Sequence, residues 1–393
     1  MSVGGPWTKL MAAGAVAGTA LAVVSGAAGW GTAHRLLAAL AVPWLVGLVV
    51  VAWMSARRLL PAALTALVAF GLAALLVPHA THIAFAAIAF GATALLAAQV
   101  ARGTARGRVD PRDYVTLTKP RVMSLLLLTG GAAVFVGASG VPGWSVFALT
   151  MVGLALACGG AAALNHYLDR DIDQLMGERT ATRPVASGRL APELALEFGV
   201  ALSALSFVLL DSLVNLPTAL LALAGNLFYV FVYTRWLKRS TPQNIVIGGA
   251  AGAVPPLVGY AGASGHLGWT ALVMFGIVFL WTPPHFWALA LMIREHYANA
   301  GVPMLPVVRG ERETAKQIVL YTVALVAATL VPVAFGVFGL VYGVSALALG
   351  LVFAWGAYRL WRETTRARAV ALFHYSLLYL ALLFVAMALD AVA

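Results

Sequence analysis

Thirteen long apolar runs follow one another along this chain, near residues 10–29, 36–55, 60–77, 82–100, 122–138, 145–164, 192–210, 213–233, 245–262, 268–291, 318–335, 340–358 and 369–389. A helix that spans a bilayer needs roughly 20 apolar residues, so the runs predict an all-α polytopic membrane protein and leave little chain for anything else. Composition agrees: 62% of the 393 residues are hydrophobic and 10% are charged. Soluble domains carry about 25% charged residues, which excludes a water-soluble globular enzyme. The runs are continuous and do not alternate apolar with polar, which excludes a membrane β-barrel. Cys158 is the single cysteine, so neither an intrachain disulfide nor a cysteine metal cluster can form.

The net charge of +11 follows from topology. With the N-terminus cytoplasmic, every Lys and Arg except Arg35 falls in an inner segment, as the positive-inside rule requires. The charge therefore implies no nucleic-acid partner; the partner is the lipid bilayer. The first run lacks the small-residue cleavage site of a signal peptide and is expected to stay as a helix. The polar stretch ARGTARGRVDPR, residues 101–112, separates four runs from nine. It predicts a four-helix membrane module over 1–100, a basic cytoplasmic linker over 101–111 and a nine-helix domain over 112–393.

Three inner loops, 165–191, 234–244 and 292–316, concentrate the residues capable of chemistry. Asn165, Asp169 and Asp173 recur at i, i+4 and i+8, which on one helix puts them on one face. Two carboxylates and an amide oxygen suit Mg2+, which keeps several waters and takes one or two carboxylates together with substrate phosphates. A cation there would also relieve the like-charge repulsion of the pair. The bare spacing equally describes a solvated helix end. Downstream stand Arg179 and Arg183, and on the next inner loop Lys238 and Arg239. Guanidinium forks and a lysine point charge hold phosphates. Singly each reads as a topology marker; together, facing a carboxylate pair, they read as an anion site. Tyr233 is either a phosphate contact or an interfacial anchor.

These residues carry a resemblance. Asn165 to Asp173, with Arg179-Thr180 and Arg183-Pro184, resembles the aspartate-rich motif of the intramembrane UbiA-type prenyltransferases. Three further segments, LTKPRV at 117–122, YTRWLKRSTPQN at 233–244 and WTPPHFWALA at 281–290, are similar to the protoheme IX farnesyltransferase (heme O synthase) branch of that superfamily. The resemblance spans about 112–391. It implies a nine-helix UbiA-type bundle in the cell membrane, around a cavity opening to the cytoplasm. It also implies transfer of farnesyl from farnesyl diphosphate to a vinyl group of protoheme IX (heme b), with water added, giving heme O and diphosphate. Mg2+ would be held by Asn165, Asp169 and Asp173, with Glu295 available to a second ion. Arg179, Arg183, Lys238, Arg239 and Tyr233 would hold the diphosphate. His285, after Pro283-Pro284 in an apolar run, is either a heme contact, through iron or a propionate, or a packing histidine at a proline break.

Two departures stand out. The chain has Glu295-His296-Tyr297 where the family usually has acidic residues before the tyrosine, and the step from Asp173 to Arg179 is one residue longer than usual. Other readings of the same residues are prenyl transfer to a quinone precursor or other aromatic acceptor, an ion-gated transporter, and a heme-handling protein without catalysis.

The N-terminal runs have their own pattern. His34 and His82 open the second and fourth runs, both on the outer side. The segments around them resemble one four-helix half of heme A synthase. That resemblance implies a bis-imidazole heme in this module and a heme A synthase as acceptor of the product. The alternative is a pair of interfacial histidines.

Overall fold

The computed structural model describes residues 10–19, isolated positions between 41 and 70, and residues 110–393. His34, His82 and all but the end of the 101–111 linker lie outside the described residues. The chain divides into two compact units, Met1–Pro111 and Arg112–Ala393. In the first, Leu10–Thr19 is helical. Gly14 and Gly18, one turn apart, let this helix meet Trp44 and Ala41 closely, a small-xxx-small contact typical of packing in lipid.

The second unit holds nine helices long and apolar enough to cross a membrane: α1 Pro120–Ala138, α2 Trp144–Leu168, α3 Pro192–Leu213, α4 Leu216–Ser240, α5 Asn244–Ser264, α6 Trp269–Met292, α7 Glu311–Ala334, α8 Leu340–Arg362 and α9 Arg366–Val392. These are the nine runs expected after the linker, in an integral multi-pass membrane protein. Proline sits in the first turn of α1, α3 and α4, where its missing N–H costs nothing. Consecutive helices pack side by side, α9 returns to α1, and α5 and α6 also pack across onto α1 and α9. The ring is therefore closed, and α5 and α6 are its most buried members. Contact between α1 and α5 is backbone on backbone: a Cβ at Gly259 would lie 2.0 Å from the Gly130 carbonyl oxygen. Outward faces carry exposed apolar residues such as Phe231, Leu347 and Leu351, as a lipid-facing surface must.

Connections leaving the even-numbered helices share one end of the bundle. They carry short helices, Arg170–Leu175 and Glu178–Ala181 after α2, and Arg294–Asn299 and Leu305–Val308 after α6. Some boundaries differ from expectation. Helix α7 starts at Glu311, because the polar turn Glu311-Arg312-Glu313 extends the helix beyond the apolar run. The single helix expected through Asp173 is broken: α2 ends at Leu168, Asp169 turns to φ −92° and ψ 5°, and a new helix starts at Arg170.

Candidate active site

The break at Asp169 leaves the spacing of the acidic motif working. Asp169 N–H still donates to the Asn165 carbonyl at 2.9 Å, and Asp173 N–H to the Asp169 carbonyl at 2.8 Å, so the one-turn rise survives. Asn165, Asp169 and Asp173 are all buried. Arg170 turns away, its guanidinium 4.7 Å from the Tyr167 ring centre.

A basic shell closes on the two carboxylates. Lys238 Nζ lies 2.5 Å from Asp169 Oδ2, and Arg183 lies 2.6 Å from Asp173 Oδ1. Arg239 is 3.8 Å from Asp169, but its main partner is Asp171, which it grips bidentately at 2.7 and 2.8 Å. Those hydrogen bonds hold the Asp171 carboxyl down at about 2. Arg239 also donates to the Leu168 carbonyl at 2.7 Å, so it clamps the end of α2 to the end of α4. Arg179 belongs to the short helix Glu178–Ala181; its side chain lies outside the described residues.

Asn165 has a different immediate task from the ligand role expected of it. Its amide nitrogen donates to Asp169 Oδ2 at 2.8 Å and to Thr234 Oγ1 at 3.1 Å, and its oxygen accepts from Lys119 Nζ at 2.5 Å. It orients the carboxylate and joins it to Lys119. Asp169 Oδ1 and Asp173 Oδ2 are buried without a hydrogen-bond partner. Buried carboxylate oxygens are rarely left so, and these two are the donor atoms a hard cation takes. Among the described residues there is no cluster of three His, Cys, Asp or Glu, which fits Mg2+ completed by substrate oxygens and water better than a cation caged by protein alone.

Lys119, outside the residues expected to form the site, belongs to it. It precedes Pro120, yet its backbone is left-handed at φ 51° and ψ 58°, a conformation costing roughly 1–3 kcal/mol in a non-glycine residue. That geometry turns the ammonium to Asn165. Burial pushes it down to about 7, the nearby charge of Arg183 adds to the shift, and Asp169 opposes it. Its signal in the sequence is a lysine at the mouth of an apolar run, inside the LTKPRV segment.

Part of α4, Phe228–Leu237, is wound as a π-helix, a geometry frequent at functional sites. Its wider turn sets Tyr229, Tyr233 and Thr234 on the same side as Lys238, with the two tyrosine rings 5.5 Å apart. Tyr233 faces inward onto Gly248 of α5, where a Cβ would come 2.3 Å from its ring, while Phe231 and Trp236 are exposed. Gly248→Ala is expected to displace the Tyr233 ring at an overpacking cost of about 1–3 kcal/mol. Thermal unfolding in detergent would register that loss, and an unchanged midpoint would contradict the contact.

The third loop contributes differently from expectation. Glu295 is exposed on Arg294–Asn299, and the structure does not bring it to the aspartates. His296 of the same helix is exposed but lies against the Gly177 turn: at φ 110°, a Cβ on Gly177 would lie 2.8 Å from His296 Nδ1. Tyr297, the next residue, is turned inward; burial pushes its phenol up to about 12, with Arg183 opposing and Asp169 adding. His166 is buried next to Asn165 with both ring nitrogens unpartnered. His285 lies on α6 away from the carboxylates, stacked on Trp281 and Phe373.

The UbiA prenyltransferase family matches residues 125–384. The protoheme IX farnesyltransferase of Symbiobacterium thermophilum is 55% identical over 281 residues, 71% of this chain and 94% of that protein. That of Gloeobacter violaceus is 52% identical over 71% of this chain and 92% of its own length. The Roseiflexus sp. (strain RS-1) protein is also 52% identical, but the match spans 52% of its length. Among solved structures, digeranylgeranylglyceryl phosphate synthase aligns with a TM-score of 0.60 at 18% identity, over 72% of this chain and 98% of that one. A UbiA homolog from Archaeoglobus fulgidus, bound to DMAPP and Mg2+, aligns at 0.54 and 18% identity over 71% and 99%. At such identity these two likenesses concern the fold, but the family match and the closely similar sequences go further: the chain belongs to the UbiA prenyltransferase family.

Proposed function

We propose that the chain transfers a farnesyl group from farnesyl diphosphate to a vinyl group of protoheme IX, with water added, to give heme O and diphosphate for heme A synthesis. The observation that carries this reading is the pair of unpartnered carboxylate oxygens on Asp169 and Asp173 inside a shell of Lys119, Lys238 and Arg183. It stands in a chain 55% identical to a protein named for this reaction.

The allylic C–O bond of the diphosphate ester breaks, and its electron pair leaves with the diphosphate. The terminal vinyl carbon bonds to the farnesyl carbon, and the cation formed beside the porphyrin takes the oxygen of water and releases a proton. Mg2+ held by Asp169 and Asp173 would neutralise charge on the departing diphosphate as a Lewis acid. Lys119, Lys238 and Arg183 supply fixed positive charge to the same oxygens, without reorganisation at the moment of reaction. Lys238 and Arg183 are paired with the aspartates, so a cation on the carboxylates would free these two groups for the diphosphate, while Lys119 is held beside them by Asn165. Tyr229, Tyr233 and Tyr297 wall the site with aromatic surface, which shields a carbocation from water until the vinyl group attacks. The positive-inside pattern supports a cytoplasmic N-terminus and a mouth opening to the cytoplasm.

The test is mass analysis of hemes extracted after incubating purified protein with protoheme IX, farnesyl diphosphate and Mg2+. Heme O should form, fail to form with EDTA, and carry its hydroxyl oxygen from labelled water. Unchanged heme from folded protein that prenylates an aromatic carboxylate would overturn the choice of acceptor.

A further inference from the structure

The ring of His285 is fixed on both faces and at one nitrogen. Trp281 stacks on it with centroids 4.3 Å apart at 15°, and Phe373 of α9 at 4.8 Å and 22°. Two rings so close and nearly parallel to a third cannot share one side of it, so both faces are covered. Phe286 meets it edge-on at 5.1 Å. At the rim, Nδ1 lies 2.7 Å from Ser376 Oγ. Ser376 is fully buried, and its carbonyl accepts from Trp281 Nε1 at 2.8 Å. One serine of α9 thus holds both the histidine and the indole stacked on it.

The serine also decides which nitrogen carries the proton. Its hydroxyl has one hydrogen, and this is donated to the Phe373 carbonyl at 2.6 Å. At Nδ1 the hydroxyl can therefore only accept, so Nδ1 is the N–H. The described contacts of the ring are aromatic or hydroxylic and none is charged, and a buried ring in such surroundings is neutral. Nε2 is then a bare lone pair on a ring that cannot turn. Such a nitrogen ligates a metal or accepts a proton; it cannot donate to a propionate. A partner at the opposite nitrogen is also how metal-ligating histidines are held.

We propose that Ser376 is a positioning residue that keeps His285 in its Nδ1-protonated form, so that Nε2 binds the iron of the porphyrin substrate. This rests on the functional reading above and settles, for His285, the choice between iron and propionate. Depth is suitable: His285 lies seven residues before the end of α6, about 10 Å below it at 1.5 Å per residue. A porphyrin ligated there lies in the apolar interior, beneath the level of the diphosphate groups.

The experiment uses the full chain in detergent, titrated with iron protoporphyrin IX and, separately, with iron-free protoporphyrin IX. Wild type should show a histidine-ligated iron spectrum. His285→Gln should lose that spectrum. Ser376→Ala should weaken binding of the iron porphyrin by about 10- to 100-fold, the usual effect of removing a partner that orients a metal ligand, while binding of the iron-free porphyrin stays within about twofold. Equal losses for both porphyrins in Ser376→Ala would make the serine a packing residue and overturn the proposal. So would a histidine-ligated spectrum surviving in His285→Gln, a variant that keeps the test decisive if Ser376→Ala fails to fold. Wild type that converts protoheme but shows no histidine ligation overturns this inference alone; wild type that makes no heme O overturns the functional reading first.

Discussion

Asp169→Asn lowers heme O formation by at least about three orders of magnitude, equivalent to about 4 kcal/mol of transition-state stabilisation, while the protein still folds and binds protoheme. The substitution keeps the size of the side chain and its bond to Asn165, and removes the charge on the oxygen that has no hydrogen-bond partner. Both functions of that charge disappear together. A cation held there would lose a ligand, and Lys238, 2.5 Å away and nearly buried, loses its counter-ion. An unpaired buried charge is expensive, so Lys238 is expected to turn toward the diphosphate. Diphosphate binding should therefore change less than turnover does, because the basic shell survives and the Lewis-acid contribution does not. Single-turnover formation of heme O, measured against thermal unfolding of the same preparation, separates the two effects. Full activity of the variant at limiting Mg2+ would remove Asp169 from the mechanism.

How far such a site is legible before the structure depends on whether contacts run along the chain or across it. The nine helices of the second unit are each written in consecutive apolar residues, and the ring of packed neighbours follows their order. Asn165, Asp169 and Asp173 were legible for the same reason: the i−4 hydrogen bonds that gather them persist through the break at Asp169. Interactions between helices left no such trace. Whether Arg239 meets Asp171 or a free phosphate depends on how α4 ends beside α2, and its fork chose Asp171. The third loop offered Glu295 and Tyr297 two residues apart, and no local spacing says that the first is exposed while the second is turned toward Arg183 and Asp169. The π-helical stretch has no apolar signature distinguishing it from the α-helix around it, although it determines which face of α4 meets the acidic motif. Ser376 and His285 are 91 residues apart, a relation no local spacing encodes.

Lys119 is the clearest case of a group whose role comes from across the bundle, and its replacement should be nearly as damaging as loss of a carboxylate. Lys119→Met is expected to lower kcat/KM for farnesyl diphosphate by about 10²-fold, about 2.7 kcal/mol, because it deletes a charge aimed at the leaving group from a water-poor site. The pH dependence identifies the mechanism. Burial and the neighbouring Arg183 hold Lys119 at about 7, so near neutrality the free protein is poised between the charged and neutral amine. An anionic diphosphate favours the charged form, which raises the value in the complex. Binding is then strongest below pH 7 and weakens as pH rises through 7, by up to about tenfold per pH unit until the value in the complex is reached. Arginine stays charged throughout this range. In Lys119→Arg the weakening above pH 7 should therefore vanish, whatever the loss of turnover caused by its bulkier head. Measuring KM for farnesyl diphosphate between pH 6 and 9 in both proteins gives the comparison. A slope that persists in the arginine variant would assign the titration to another group and leave Lys119 as a structural partner of Asn165.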